Sequence, residues 1–195
     1  MYLKFAFKYK FSYLCTMKLS SDILEKAIVF ATNKHAGQVR KGDQRPYILH
    51  PLSVMFTLGK IKKSKNQLLL FIAAILHDVV EDCETSLDEI AKEFGFHVAA
   101  IVEELTSDKE LIAEKGKEVY LLEKMLNISS YSLVIKLVDR LENLSDMDNM
   151  SDEFKIKTIT HNKFIVEGLK KDRNLTKTHL KLIELIDAKL IECSK

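Results

Sequence analysis

His77-Asp78-Val79-Val80-Glu81-Asp82 closes the apolar run Leu68-Leu69-Leu70-Phe71-Ile72-Ala73-Ala74-Ile75-Leu76, so that four ionisable side chains in six residues end an otherwise greasy segment. Helical spacing would stack His77 over Glu81 and Asp78 over Asp82, in two neighbouring stripes of imidazole and carboxylate. Three acids set against an apolar run repel one another and lose water. That costs several kcal/mol, roughly, unless cations or hydrogen-bond donors compensate. A divalent metal is one compensation; a helix that simply ends here with solvated charges is the other. The stretch alone leaves both open.

Outward from this point, the chain reads as all-α. Only 2 Pro and 6 Gly punctuate 195 residues, and apolar positions recur mostly at helical spacing. With 47% hydrophobic residues the length suits one globular domain with a substantial core. Charged residues make up 30% and the net charge is +2, so the bulk charge calls for neither nucleic acid nor an anionic membrane. Cys15, Cys83 and Cys193 are scattered, without a Cys-x-x-Cys pair. This argues against a disulfide framework or a thiolate zinc site and fits a reducing cytoplasm. Cys83, next to the acids, is expected to be a small buried filler rather than a nucleophile.

The segment Met1 to Thr16 is aromatic and interrupted by Lys4, Lys8 and Lys10, too short and too charged to span a bilayer. It is expected to be an extension, and Met17 a candidate natural start. An amphipathic helix is expected over Asp22 to Lys34. It leads into a turn-rich basic stretch, His35-Ala36-Gly37-Gln38-Val39-Arg40-Lys41-Gly42-Asp43-Gln44-Arg45-Pro46-Tyr47. Arg40, Lys41 and Arg45 beside Tyr47 could hold phosphates and stack on a flat ring; a solvated loop is the plain alternative. Pro51 suits the first turn of a helix over Leu52 to Ile61, with His50 near its start. Ser64-x-x-Gln67 reads as a capping box opening the helix that carries His77 and Asp78, and Ser86-x-x-Glu89 as another opening Leu87 to Phe94, which Gly95 stops. Further helices are expected at about His97–Thr106, Lys117–Leu126, Tyr131–Asp146, Asp152–Gly168 and Leu175–Glu192. No repeat or linker divides the chain, so 17–195 reads as a single compact multi-helix bundle. Its long last helices are compatible with a homo-oligomer.

One helix repeats the oddity of the opening stretch. In Leu133-Val134-Ile135-Lys136-Leu137-Val138-Asp139-Arg140-Leu141-Glu142-Asn143-Leu144, Asp139 sits among apolar residues, with Asn143 on its face and Asp146 close to it. A buried aspartate paired with Lys136 or Arg140 would also account for this. His50, His77-Asp78 and Asp139 together supply a mixed nitrogen and oxygen donor set that leaves coordination positions open. Such a set suits Mn²⁺, Fe²⁺ or Zn²⁺ better than Ca²⁺.

The ordered series His, His-Asp, Asp resembles the signature of the HD superfamily of metal-dependent phosphohydrolases. Its local contexts are similar to the RelA/SpoT-type hydrolases of guanosine tetra- and pentaphosphate. The matching segments are His35-Ala36-Gly37-Gln38-Val39-Arg40-Lys41, Pro46-Tyr47-Ile48-Leu49-His50-Pro51, Ala73 to Asp82, Phe94-Gly95 and Lys136 to Leu144, covering about residues 20–150 in order. The resemblance implies an HD-type bundle, one Mn²⁺ held by His50, His77, Asp78 and Asp139, and proton handling by Glu81 and Asp82. It implies a guanine against Arg40, with Lys41, Tyr47, Asn143 and Asp146 at the substrate, and His35 supporting the loop. Ser145-Asp146 departs from the Arg-Thr frequent in bacterial long forms, although small single-domain members also carry Asp there. Residues 150–195 are too few for a synthetase domain, so the implied protein is a stand-alone small alarmone hydrolase. It would release pyrophosphate from the ribose 3′ oxygen of ppGpp or pppGpp and leave GDP or GTP. Two alternatives stand beside it: a related activity on another nucleotide, such as the 2′-phosphate of NADPH, and a nucleotide sensor without turnover.

Overall fold

The computed structural model describes residues 21–194. The expectations for Met1–Thr16, Cys15 and Met17 lie outside the described residues. The expected all-α class holds. The described chain is helical, with one isolated antiparallel bridge, Val39 to Pro46, and no strand among the described residues. None of its helices is long and apolar enough to cross a membrane.

The described residues form two compact units. The first comprises 21–38 and 47–106, the second 39–46 and 107–194. In the first unit the helices are α1 (Ser21–Lys34), α2 (Leu49–Ile61), α3 (Gln67–Ile75), α4 (Val79–Asp82), α5 (Leu87–Phe94) and α6 (Phe96–Leu105). α3 packs against α1, α2 and α6, and α5 packs on α6. That centrality explains the apolar run: Leu70 and every residue from Ile72 to Leu76 are fully buried, as are Ala31 of α1, Leu58 of α2 and Val102 of α6. Gly59 of α2 lies where an added Cβ would come 3.0 Å from the Phe71 ring, so the close approach of α2 to α3 depends on its missing side chain. Ser86 caps α5 by accepting from the Glu89 backbone N–H, and Gly95, at φ 89°, ends it and starts α6.

The second unit contains the 39–46 turn and α7 (Lys109–Lys115), α8 (Lys117–Asn127), α9 (Ser130–Ser145), α10 (Asp152–Asp172) and α11 (Lys177–Glu192). α9 packs on α11, α10 on α8 and α11, and α7 on α8. α9 buries nine consecutive residues, Ser132 to Arg140, so its polar Ser132, Lys136, Asp139 and Arg140 are buried with its apolar ones. Arg140 sits in that core with Nη1 donating to Asn162 Oδ1 at 2.9 Å and Nε against Met125 Sδ at 3.3 Å; burial pulls its pKa down to about 10.

Helix boundaries agree with expectation to within a few residues, with informative exceptions. α2 begins at Leu49 rather than Leu52, so that His50 joins Pro51 in its first turn. α7, too short for a clear apolar period, is absent from the sequence reading; its signal was Asp108, whose carboxylate accepts from Glu110 and Leu111 N–H. Ser64 and Gln67 do bond, Gln67 Oε1 accepting from Ser64 N–H at 3.0 Å, but α3 starts at Gln67 and Ser64 stands before its N-cap.

The larger correction concerns the opening stretch. α3 stops at Ile75, and Leu76, His77 and Asp78 form a turn before the single-turn α4. His77 therefore does not continue a helix over Glu81. Its Nδ1 bonds the Ala74 carbonyl at 2.7 Å, taking an acceptor that a terminating helix leaves unused. Asp78 keeps its expected relation to Asp82, whose N–H donates to the Asp78 carbonyl at 2.9 Å.

Candidate metal and nucleotide site

In the first unit the early loop and the α3–α4 turn bring five of the expected residues together. The rings of His50 and His77 lie 5.5 Å apart, and the Tyr47 ring stands 6.0 Å from His50. His50 and His77 are buried, at 3% and 1% exposure, so what they face matters energetically. A carbonyl can only accept, so the 2.7 Å contact to Ala74 O puts the His77 proton on Nδ1. The other nitrogen, Nε2, lies 2.9 Å from Asp78 Oδ2. A lone pair and a carboxylate oxygen at that distance repel unless a proton or a cation sits with them. A backbone bond on the outer nitrogen, fixing the ring and turning the inner one toward an oxygen donor, is the arrangement that metal-ligating histidines adopt. The donor chemistry of His50, His77 and Asp78 therefore fits a divalent cation.

Tyr47 supports the same carboxylates. Its hydroxyl donates to Asp78 Oδ2 at 2.7 Å and approaches Asp82 Oδ2 at 3.3 Å. Burial raises the Asp82 carboxyl above the ordinary aspartate range, even though its side chain still reaches solvent. The charges of Asp78 and Glu81 raise it further, while the Tyr47 hydroxyl opposes them. Glu81 lies half-buried on α4. The sequence reading passed over Gln38, which ties the loop to this turn: its Oε1 meets His35 Nδ1 at 2.8 Å and its Nε2 donates to the Asp82 carbonyl at 3.1 Å. His35, stacked on Tyr47 with ring centres 4.7 Å apart, has the supporting place expected of it. Cys83 is half-buried rather than a core filler, with its sulfur 3.4 Å from His35 Nδ1; burial holds its thiol pKa above the ordinary value.

In the second unit a chain of hydrogen bonds links four expected residues. Asn143 Nδ2 donates to Asp139 Oδ1 at 2.6 Å, and Asn143 Oδ1 accepts from Arg40 Nη2 at 2.9 Å. Arg40 Nη2 also meets Asp146 Oδ2 at 2.9 Å. Lys136 Nζ stands 3.7 Å from the other oxygen of Asp139, which is 8% exposed. Lys41 is exposed in the turn. Arg45, expected with Arg40 and Lys41 in the basic loop, pairs with Asp43, which the sequence reading left outside the site, and also reaches Asp146. Arg45 and Asp146 stand 101 positions apart, so spacing gives no sign of that pairing.

The chain belongs to the HD domain family, whose model matches residues 27–166. Its relatives include the guanosine-3′,5′-bis(diphosphate) 3′-pyrophosphohydrolase MESH1 of Homo sapiens, 37% identical over 135 residues, which are 69% of this chain and 74% of that protein. The Xenopus tropicalis MESH1 is 38% identical over 69% of this chain and 76% of its own length. A GTP pyrophosphokinase of Myxococcus xanthus is 31% identical over 68% of this chain, which spans 18% of that longer protein. Among solved structures, one described as a metazoan ortholog of SpoT that hydrolyses ppGpp aligns with a TM-score of 0.72 at 28% identity. It covers 87% of this chain and 97% of that one.

Proposed function

We propose that the protein is a guanosine-3′,5′-bis(diphosphate) 3′-pyrophosphohydrolase, converting ppGpp or pppGpp to GDP or GTP and pyrophosphate. The observation that carries the reading is His77, its proton fixed on Nδ1 by Ala74 and its Nε2 facing Asp78 at 2.9 Å. The relatives named for this reaction, each spanning over two thirds of the chain, support the substrate. We propose that His50, His77, Asp78 and Asp139 hold one Mn²⁺, with Fe²⁺ or Zn²⁺ as alternatives, and that residues 17–195 act as one HD-type domain. The family match runs from the first unit into the second, which supports that extent. A cytoplasmic location accords with the free thiols of Cys83 and Cys193.

When bound, the divalent ion supplies Lewis-acid chemistry, polarising a phosphoryl oxygen and lowering the pKa of water. The chain's own residues do the rest. Asp82, its carboxyl raised by burial and by its acidic neighbours, accepts a proton from the attacking water more readily than an ordinary aspartate. Glu81 on the same turn shares that proton handling. Tyr47 holds the Asp78 carboxylate in one orientation. Arg40, backed by Asn143 and Asp146, meets the purine, and Lys41 offsets phosphate charge.

The test is purified protein with Mn²⁺ and ppGpp, scored for pyrophosphate and GDP, with NADPH as a parallel substrate. His77→Ala and Asp139→Ala are expected to lose both bound metal and activity. Glu81→Gln is expected to keep metal and lose about 100-fold or more in rate, in the range of general base catalysis. Phosphate release from NADPH with silence toward ppGpp would move the function to another nucleotide.

A further inference from the structure

We infer that Asp146 is a positioning residue: its carboxylate, shared between Arg40 and Arg45, fixes the plane of the Arg40 guanidinium against which a purine ring is received. The purine in this statement rests on the hydrolase reading above; the fixing of Arg40 does not.

The 39–46 turn first brings the two arginines side by side. Arg40 N–H donates to the Arg45 carbonyl at 2.8 Å, inside the Val39 to Pro46 bridge. Asp146 meets them from the C-cap of α9, where its own N–H bonds the Glu142 carbonyl. One of its oxygens takes Arg40 Nη2 at 2.9 Å and the other takes Arg45 Nη2 at 3.1 Å. Asn143 Oδ1 accepts from the same Arg40 nitrogen at 2.9 Å.

Arg40 Nη2 carries two hydrogens, both in the plane of the guanidinium. With Asn143 on one and Asp146 on the other, two acceptors define that plane, and both contacts are made at the edge, so they do not occupy the faces. Stacking uses a face and edge bonding uses the rim, so the two are compatible, which a lysine could not reproduce. The Arg40 and Asp146 side chains are 13% and 28% exposed, so the pair is less screened than a surface ion pair. Arg45, at 51%, is the outer clamp and is itself held by Asp43 through both its backbone N–H and its Nε. Removing the carboxylate would leave two neighbouring cations without their shared counter-charge, and Arg40 would turn away from the face of α9.

The experiment is a double-mutant cycle on the full protein with ppGpp. Asp146→Ala is expected to raise KM about 10-fold with most of the effect outside kcat, and Asp146→Asn, which keeps one acceptor, to recover part of it. Arg40→Ala should cost a similar factor, and the double variant no more than Arg40→Ala alone, because Asp146 acts through Arg40. Multiplying losses in the double variant would overturn the inference and make Asp146 a direct substrate contact. Side-chain nitrogen NMR provides the arm that does not depend on turnover. Restricted Arg40 guanidinium resonances that broaden in Asp146→Ala are expected; a freely rotating guanidinium in the unmodified protein would overturn the inference. No ppGpp turnover by the unmodified protein would refute the hydrolase reading and the purine, while the spectrum still decides whether Asp146 fixes Arg40.

Discussion

Replacing Tyr47 by Phe removes one hydroxyl and keeps the ring that packs between His35 and His50. The hydroxyl makes a 2.7 Å bond to the Asp78 carboxylate and a weaker 3.3 Å contact to Asp82, so only the first carries much energy. A hydrogen bond to a charged group is worth about 1.5–3 kcal/mol. The Asp78 side chain retains 15% exposure, so water replaces part of the loss and the lower end applies, about 1.5 kcal/mol or roughly 10-fold. The same factor is the lower bound for losing a group that orients a metal ligand, about 10–100-fold. Metal titration by calorimetry should therefore show Mn²⁺ affinity weakened about 10-fold with folding intact. A second signature has a definite sign. The Tyr47 hydroxyl lowers the Asp82 pKa against the larger raising effects of burial and of Asp78. Its loss lets the carboxyl rise further, so the acid limb of the pH–rate profile moves to higher pH if ionised Asp82 is the base. Unchanged metal affinity together with an unmoved acid limb would refute the role given to Tyr47.

Two stability predictions follow from the second unit. Asn162→Ala removes the oxygen acceptor of the buried Arg140 guanidinium and should cost about 2–3 kcal/mol, read as a lowered midpoint in urea with unchanged slope. Gly168→Ala gains about 1 kcal/mol of helix propensity, but an added Cβ would lie 2.5 Å from Leu122 Cδ2. Leu122 must then move both terminal methyls aside, at about 1 kcal/mol or more, which offsets the propensity gain, so the melting temperature should not rise.

Most of the helices were legible because their signals are local. Ser86 and Gly95 frame α5, and the apolar periods of α1, α9 and α10 give those helices away. His77, Asp78 and Asp139 stood out for an equally local reason, as polar residues placed where apolar sequence would otherwise bury them. The tertiary structure decided what those residues touch. The break after Ile75 turns on the His77 imidazole taking the Ala74 carbonyl, a choice that helical periodicity does not encode. Tyr47 reaches Asp78 across 31 positions and Arg40 reaches Asp146 across 106. Composition and spacing show that such groups exist, but only packing of the helices that carry them determines which donor faces which carboxylate.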